Sequence, residues 1–296
     1  MITERPCVRV ALASARLDIL DMMRQACAGS GFTPVLVVVP PMIWRHRTRE
    51  PDPAARLARI RGVTPPEIDV VARPANELPE ALHGARVDML IVCEYSTTLP
   101  RFVLDAIPGG TIHCHPSLLP RWQGPLPVAW ALRTGDPTIG LSVHRINGDT
   151  YDDGPVLAQG SISAPDDDFD PDALRTRLLH TLLRGVLPQA LNAVARGEPG
   201  VPQDPAHATW AGFMNEVDRY LDLGQSALTL HHLTRALRYL GWTPHVRIDN
   251  AWHTITRTSL TATPTCHRGV DCGDGARLWV AGATPVPTRA HPRIYR

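Results

Sequence analysis

Short apolar runs recur along the first half of the chain, at residues 8–13, 34–40, 68–73, 87–95, 111–115 and 138–146, with helix-like stretches between several of them. This alternation predicts a parallel or mostly parallel sheet covered by helices on both faces, a Rossmann-like α/β arrangement. From residue 170 to 197 the apolar positions Leu174, Leu178, Leu179, Leu182, Leu183, Val186, Leu187, Ala190, Leu191 and Val194 recur at helical spacing. They predict one long amphipathic helix, kinked at Pro188. A stretch rich in proline and glycine follows and reads as a linker. Beyond it come a helical pattern at 225–240 and strand-like runs at 245–248, 253–256 and 277–280. The expected organisation is a catalytic domain over 1–197, a linker over 198–208 and a small β-rich, OB-like domain over 209–296.

Composition narrows the function. The chain has 296 residues, 44% of them hydrophobic, enough for a full core. All 30 of its basic residues are arginine, set against 29 acidic ones. With no lysine, Schiff-base catalysis, pyridoxal phosphate attachment and a P-loop are excluded. A net charge of +1 argues against nonspecific nucleic-acid binding by the whole surface. Six cysteines scattered through apolar segments read as buried reduced thiols, and no apolar run is long enough to span a bilayer. A cytoplasmic protein with no membrane association is expected.

The chemistry concentrates in two places. His113 and His115 end one candidate strand, and Asp152 lies in the loop after the next. The carboxyl ends of parallel strands form ligand crevices, so these groups are placed to meet. A histidine moves protons near neutral pH, and a neighbouring carboxylate fixes its tautomer or favours its charged form. His115 continues into Pro116-Ser117-Leu118-Leu119-Pro120, and Asp152 into Asp153-Gly154-Pro155. These strings resemble the folate-dependent formyltransferase family, which carries Asn-x-His-Pro-Ser-Leu-Leu-Pro and later Asp-x-Gly-Pro.

The resemblance implies that His115 and Asp152 are catalytic, that 10-formyltetrahydrofolate is the formyl donor, and that no metal takes part. The family's asparagine, which donates a hydrogen bond to the formyl oxygen, falls on His113. A ring N–H could take over that role, which makes His113 a third catalytic candidate. The resemblance also assigns two loops to the pterin: Cys93, Glu94, Tyr95, Ser96 and Leu99 in one, Asn147, Asp149 and Tyr151 in the other. More weakly, Asp222-Leu223, Thr234-Arg235-Ala236-Leu237 and Gly273-Asp274-Gly275 resemble the carboxyl-terminal domain of methionyl-tRNA and sugar formyltransferases. Ser117 reads as a surface turn residue.

The acceptor is left open. The departure at His113 favours an amine of a small molecule, such as an amino sugar nucleotide or an intermediate of specialised metabolism, over a housekeeping substrate. A methionyl-tRNA formyltransferase is the alternative, drawing on the two-domain length and on a basic stretch with Arg45, Arg47, Arg49, Arg56, Arg59 and Arg61. Such stretches are commonly solvated faces. Trp44 and Trp122 read either as stacking platforms or as local packing. A different class of function remains too: His113, His115 and Asp152 as ligands of a metal-dependent hydrolase. A noncatalytic folate binder is the fourth reading. Cys266, His267 and Cys272 lack a fourth ligand at convincing spacing.

Overall fold

A computed structural model describes residues 7–41, 44, 45, 48, 49, 52–95, 97–148, 150–167 and 170–286. Seven strands form the main sheet: β1 (Val8–Ala13), β2 (Phe32–Val38), β3 (Asp69–Val71), β4 (Met89–Cys93), β5 (Thr111–His115), β6 (Thr138–Arg145) and β7 (Val156–Ser163). Their order is β3-β2-β1-β4-β5-β6-β7. The β3/β2, β2/β1, β1/β4 and β4/β5 pairs are parallel, and β6 runs antiparallel to β5. The mostly parallel sheet expected from the sequence is therefore present. Residues 10–13 and 89–93 are buried on both faces, which is why their sequence reads as continuous apolar runs.

The strand expected at 34–40 starts earlier and stops at Val38. Pro34 lies within it, where the register with β1 slips between Val10 and Ala11. An irregularity of this kind accommodates a residue that has no N–H to give the ladder.

The helix expected over 170–197 forms in pieces. Asp170 caps Pro171–Thr176 by accepting from the N–H groups of Asp172 and Ala173. A wide turn of π-helix covers Arg177–Leu182, and the helix Leu183–Ala195 continues through Pro188. The change of pitch thus lies upstream of the proline, at the widened turn, which is itself a recognised cause of helix bending.

The chain divides into two compact units. The first comprises 1–121, 140–161 and 178–208. In it the helix Leu17–Cys27 lies against Leu183–Ala195. The 198–208 stretch belongs to this unit and is tied to it: Val201 pairs with Val156, and the Arg145 guanidinium donates to the carbonyls of Glu198 and Pro199.

The second unit comprises 122–139, 162–177 and 209–296. Its helix Pro127–Thr134 packs on Ala227–Tyr239, which Ser226 caps by accepting from Thr229 N–H. Two three-stranded sheets complete it: His245–Ile248, Ala251–Thr254 and Thr284–Pro285 in one, Arg257–Ser259, Arg277–Ala281 and Arg268–Asp271 in the other. Trp122 packs locally here, stacking on Trp130 at 6.0 Å and donating to Asp136 at 2.7 Å. No helix among the described residues is long and apolar enough to cross a membrane.

Candidate active site

Strand geometry builds the site. On β5, Thr111, His113 and His115 share one face of the sheet, and Ile112 and Cys114 take the other. The antiparallel register sets His144 of β6 opposite His113, and Ser142 opposite His115. Two histidines, a third across the ladder and a serine therefore stand on one face. Ser142 holds the turn after β5: its hydroxyl donates to the Ser117 carbonyl at 2.6 Å and accepts from Leu119 N–H at 3.0 Å. The Gln159 amide donates to that same hydroxyl and to the Leu119 carbonyl. Ser117 is buried in this network, contrary to its expected place on the surface.

Asp152 comes to the histidines through a strained loop. Its φ is +55°, a left-handed conformation unusual for a residue with a side chain. Two contacts fix it there. The Gln203 amide donates to the carbonyls of Asp152 and Gly154, at 2.7 and 2.8 Å. Gly154 lies so close to β6 that a Cβ would stand 1.8 Å from the Arg145 carbonyl oxygen, so only glycine fits.

The resulting cluster is tight. Asp152 Oδ1 lies 3.0 Å from His113 Nδ1 and 3.4 Å from His144 Nε2, and Oδ2 lies 3.5 Å from His115 Nδ1. His144 Nε2 is 3.3 Å from His113 Nδ1. His115 and His144 are nearly enclosed, while the His113 side chain is 22% exposed and marks the entrance. Burial would raise the Asp152 carboxyl, but its contacts with His113 and His144 and the charges of His115 and His113 outweigh that and hold it far below the usual carboxylate range. Burial pushes the His144 imidazole down, against the opposing pull of Asp152. The arrangement is an ionised carboxylate that grips two rings and leaves one ring at the surface.

His113, His115 and Asp152 are thus brought together as the sequence predicts. His144 was missed, although the alternation Gly140-Ser142-His144 against Ile139-Leu141-Val143 was the available signal for it. The hydrolase ligand set needs correction for the same reason. Among the described residues, His113, His144 and Asp152 form the group whose ligand atoms all fall within 4.8 Å of one another; His115 is not part of it. Cross-strand partners approach more closely than residues two apart on one strand. Among the described residues no comparable group includes Cys266, His267 or Cys272.

The two loops assigned to the pterin meet beside this cluster. The Thr98 and Tyr151 hydroxyls are 3.5 Å apart, and Gly148 lies against the Arg101 guanidinium. Cys93 is fully buried and pairs in register with Cys114, on the face opposite His113 and His115. Its thiol is raised by its contact with Cys114 and by burial. Tyr95 and Leu99 pack against the core of the first unit, and burial pushes the Tyr95 hydroxyl up to about 12. The side chains of these three residues are taken up by the interior of the first unit. Glu94, at φ +48°, gives its carbonyl to Ala15 N–H and holds its carboxylate 3.7 Å from Arg16. Asn147 and Tyr151 are exposed. Ser96 and Asp149 lie outside the described residues.

Much of the basic stretch has structural work. Arg56 is buried and donates to the Pro40 carbonyl at 2.7 Å, and Arg61 donates to the Val70 carbonyl at 3.3 Å. Arg47 and the side chains of Trp44, Arg45 and Arg49 lie outside the described residues. All six cysteines are free thiols; Cys7 is exposed, unlike the other five.

Comparison with known proteins gives the cluster its context. The sequence model of the formyl transferase family matches residues 11–191. The methionyl-tRNA formyltransferase of Chloroflexus aggregans is 32% identical over 251 residues, covering 81% of this chain and 78% of that protein. That of a Roseiflexus species is 33% identical over 211 residues, covering 70% of this chain and 62% of its own length. Among solved structures, the sugar 3N-formyltransferase WlaRD, crystallised in the presence of dTDP and 5-N-formyl-THF, aligns with a TM-score of 0.64 at 12% identity. The alignment covers 94% of this chain and 98% of that one, a likeness of fold.

Proposed function

The chain belongs to the formyl transferase family, and from that premise we propose that it moves the formyl group of 10-formyltetrahydrofolate to an amine of a small molecule. The observation that carries the reading is one carboxylate, Asp152, held between His113 and His115 beside two loops that meet through Thr98 and Tyr151. Asp152 Oδ2 faces His115 Nδ1 at 3.5 Å, which favours the tautomer with the proton on Nδ1 and leaves Nε2 as the basic nitrogen of that ring. As the neutral amine attacks the formyl carbon, a C–N bond forms and an oxyanion develops. His115 takes the ammonium proton and returns it to the folate nitrogen as the bond to that nitrogen breaks. His113, the most exposed ring of the cluster, takes the place from which the resemblance has an N–H donated to the oxyanion. His144 stays neutral behind them. The six free cysteines suit a cytoplasmic setting.

Calorimetric titration with 5-formyltetrahydrofolate tests the donor assignment: saturable binding is expected, and no heat at millimolar ligand would overturn it. The named relatives favour a second reading, in which the acceptor is methionyl-tRNA. The burial of Arg56 inside the fold weakens it, since it removes one cation from the basic surface available to phosphates. Filter binding of initiator tRNA at two salt concentrations separates the two. A tRNA enzyme would give a complex that weakens steeply with salt. The small-amine reading expects no such complex.

A further inference from the structure

One feature of the cluster goes beyond formyl transfer. His144 Nδ1 lies 2.9 Å from the Arg145 carbonyl, which can only accept, so Nδ1 carries that ring's proton. In the neutral ring Nε2 is then a lone pair. It faces Asp152 Oδ1 at 3.4 Å and His113 Nδ1 at 3.3 Å. The third edge of this triangle, from His113 Nδ1 to Asp152 Oδ1, is 3.0 Å. Whichever neighbour a proton on His113 Nδ1 serves, the contact of the His144 Nε2 lone pair with Asp152 Oδ1 sets one electron-rich atom against another inside a largely enclosed site, an arrangement that a cation at the centre of the triangle relieves.

We propose that His113 Nδ1, His144 Nε2 and Asp152 Oδ1 bind a divalent first-row transition-metal ion of the zinc or ferrous class. The edge lengths suit one. Bonds of about 2.0–2.2 Å to nitrogen and carboxylate oxygen put donor atoms about 3.3–3.5 Å apart in a tetrahedral site and about 2.9 Å apart at right angles. The edges of 3.0, 3.3 and 3.4 Å span that interval. Two imidazoles and one carboxylate select zinc or iron over magnesium, which prefers oxygen donors throughout. Three protein donors also leave coordination positions for water or another small ligand.

The surrounding contacts are those of a supported metal site. The Nδ1–H of His144 is held by a backbone carbonyl, which fixes the tautomer and points Nε2 inward. The second carboxylate oxygen of Asp152 faces His115 Nδ1 at 3.5 Å, leaving Oδ1 to bind as a single donor. Gln203 fixes the backbone of the Asp152 turn. An asparagine at position 113 would offer an amide as the third donor, a much poorer partner for zinc than imidazole. The histidine at position 113 completes the set.

The full chain, stripped with a chelator and returned to metal-free buffer, is titrated with Zn²⁺ by calorimetry and with Co²⁺ by visible absorption. One ion per chain is expected, with the d–d bands of a low-symmetry Co²⁺ site that excess Zn²⁺ bleaches and Mg²⁺ does not. Zn²⁺ should raise the melting temperature, and chelator should reverse the rise, because an ion that binds only the native state stabilises it. Anaerobic Fe²⁺ competing with Co²⁺ serves as the iron arm. His113→Asn and His144→Gln, each confirmed as folded by circular dichroism, should weaken binding by at least about tenfold. Failure of the wild-type chain to bind stoichiometric Zn²⁺ or Co²⁺ overturns the proposal. So does binding of wild-type affinity in either folded variant, since the ion would then sit elsewhere among the chain's histidines.

Discussion

His115→Ala, assayed in chelator, is expected to lower formyl transfer by about 10²–10⁴-fold, the usual worth of a positioned acid–base group. Asp152→Asn should fall within the same range, because the amide keeps the shape of the side chain but cannot balance a charged ring. The double variant should be little worse than the poorer single one, since Oδ2 of Asp152 acts through the His115 ring it faces at 3.5 Å. Steady-state kcat/KM for the four proteins is the measurement. Losses that simply multiply would show that the two residues act separately. Near-full activity in His115→Ala would remove the proton-transfer role from that ring.

The resemblance puts an asparagine at the position of His113, and two substitutions there should part company. His113→Ala removes a donor to the oxyanion and should cost about 10²–10³-fold in kcat. His113→Asn restores an amide N–H and should keep most of the transfer. Steady-state kcat for the three proteins decides it, and a His113→Asn variant as slow as His113→Ala would show that a donor at this position is not what the reaction uses.

The sheet was legible because its central strands are buried on both faces, so 10–13 and 89–93 read as unbroken apolar runs. The site was legible where it is local: His113 and His115 at a strand end, Asp152 before a glycine that cannot be replaced beside the Arg145 carbonyl. What stayed hidden depends on register. His144 joins the cluster because β6 turns antiparallel to β5 and sets it opposite His113. Nothing in a single strand reveals its partner. Gln203 escaped notice in the same way, lying 51 residues beyond the Asp152 carbonyl it holds. The widened turn at 177–182 also left no mark, because one extra residue per turn hardly disturbs an apolar stripe read at 3.6-residue spacing. Proline was the more visible signal, and the helix runs through it.

The central claim is that the cluster around Asp152 joins a folate-borne formyl group to a small amine. It is tested most directly by incubating the chelator-treated protein with 10-formyltetrahydrofolate, labelled in the formyl carbon, and a panel of amino-sugar nucleotides and other small amines. The products are then followed by mass spectrometry. The account predicts a labelled N-formyl product from at least one amine, formed in equal amount with tetrahydrofolate and lost in Asp152→Asn. Label released as formate, with no amide formed on any amine, would contradict it, as would formylation of methionyl-tRNA alone.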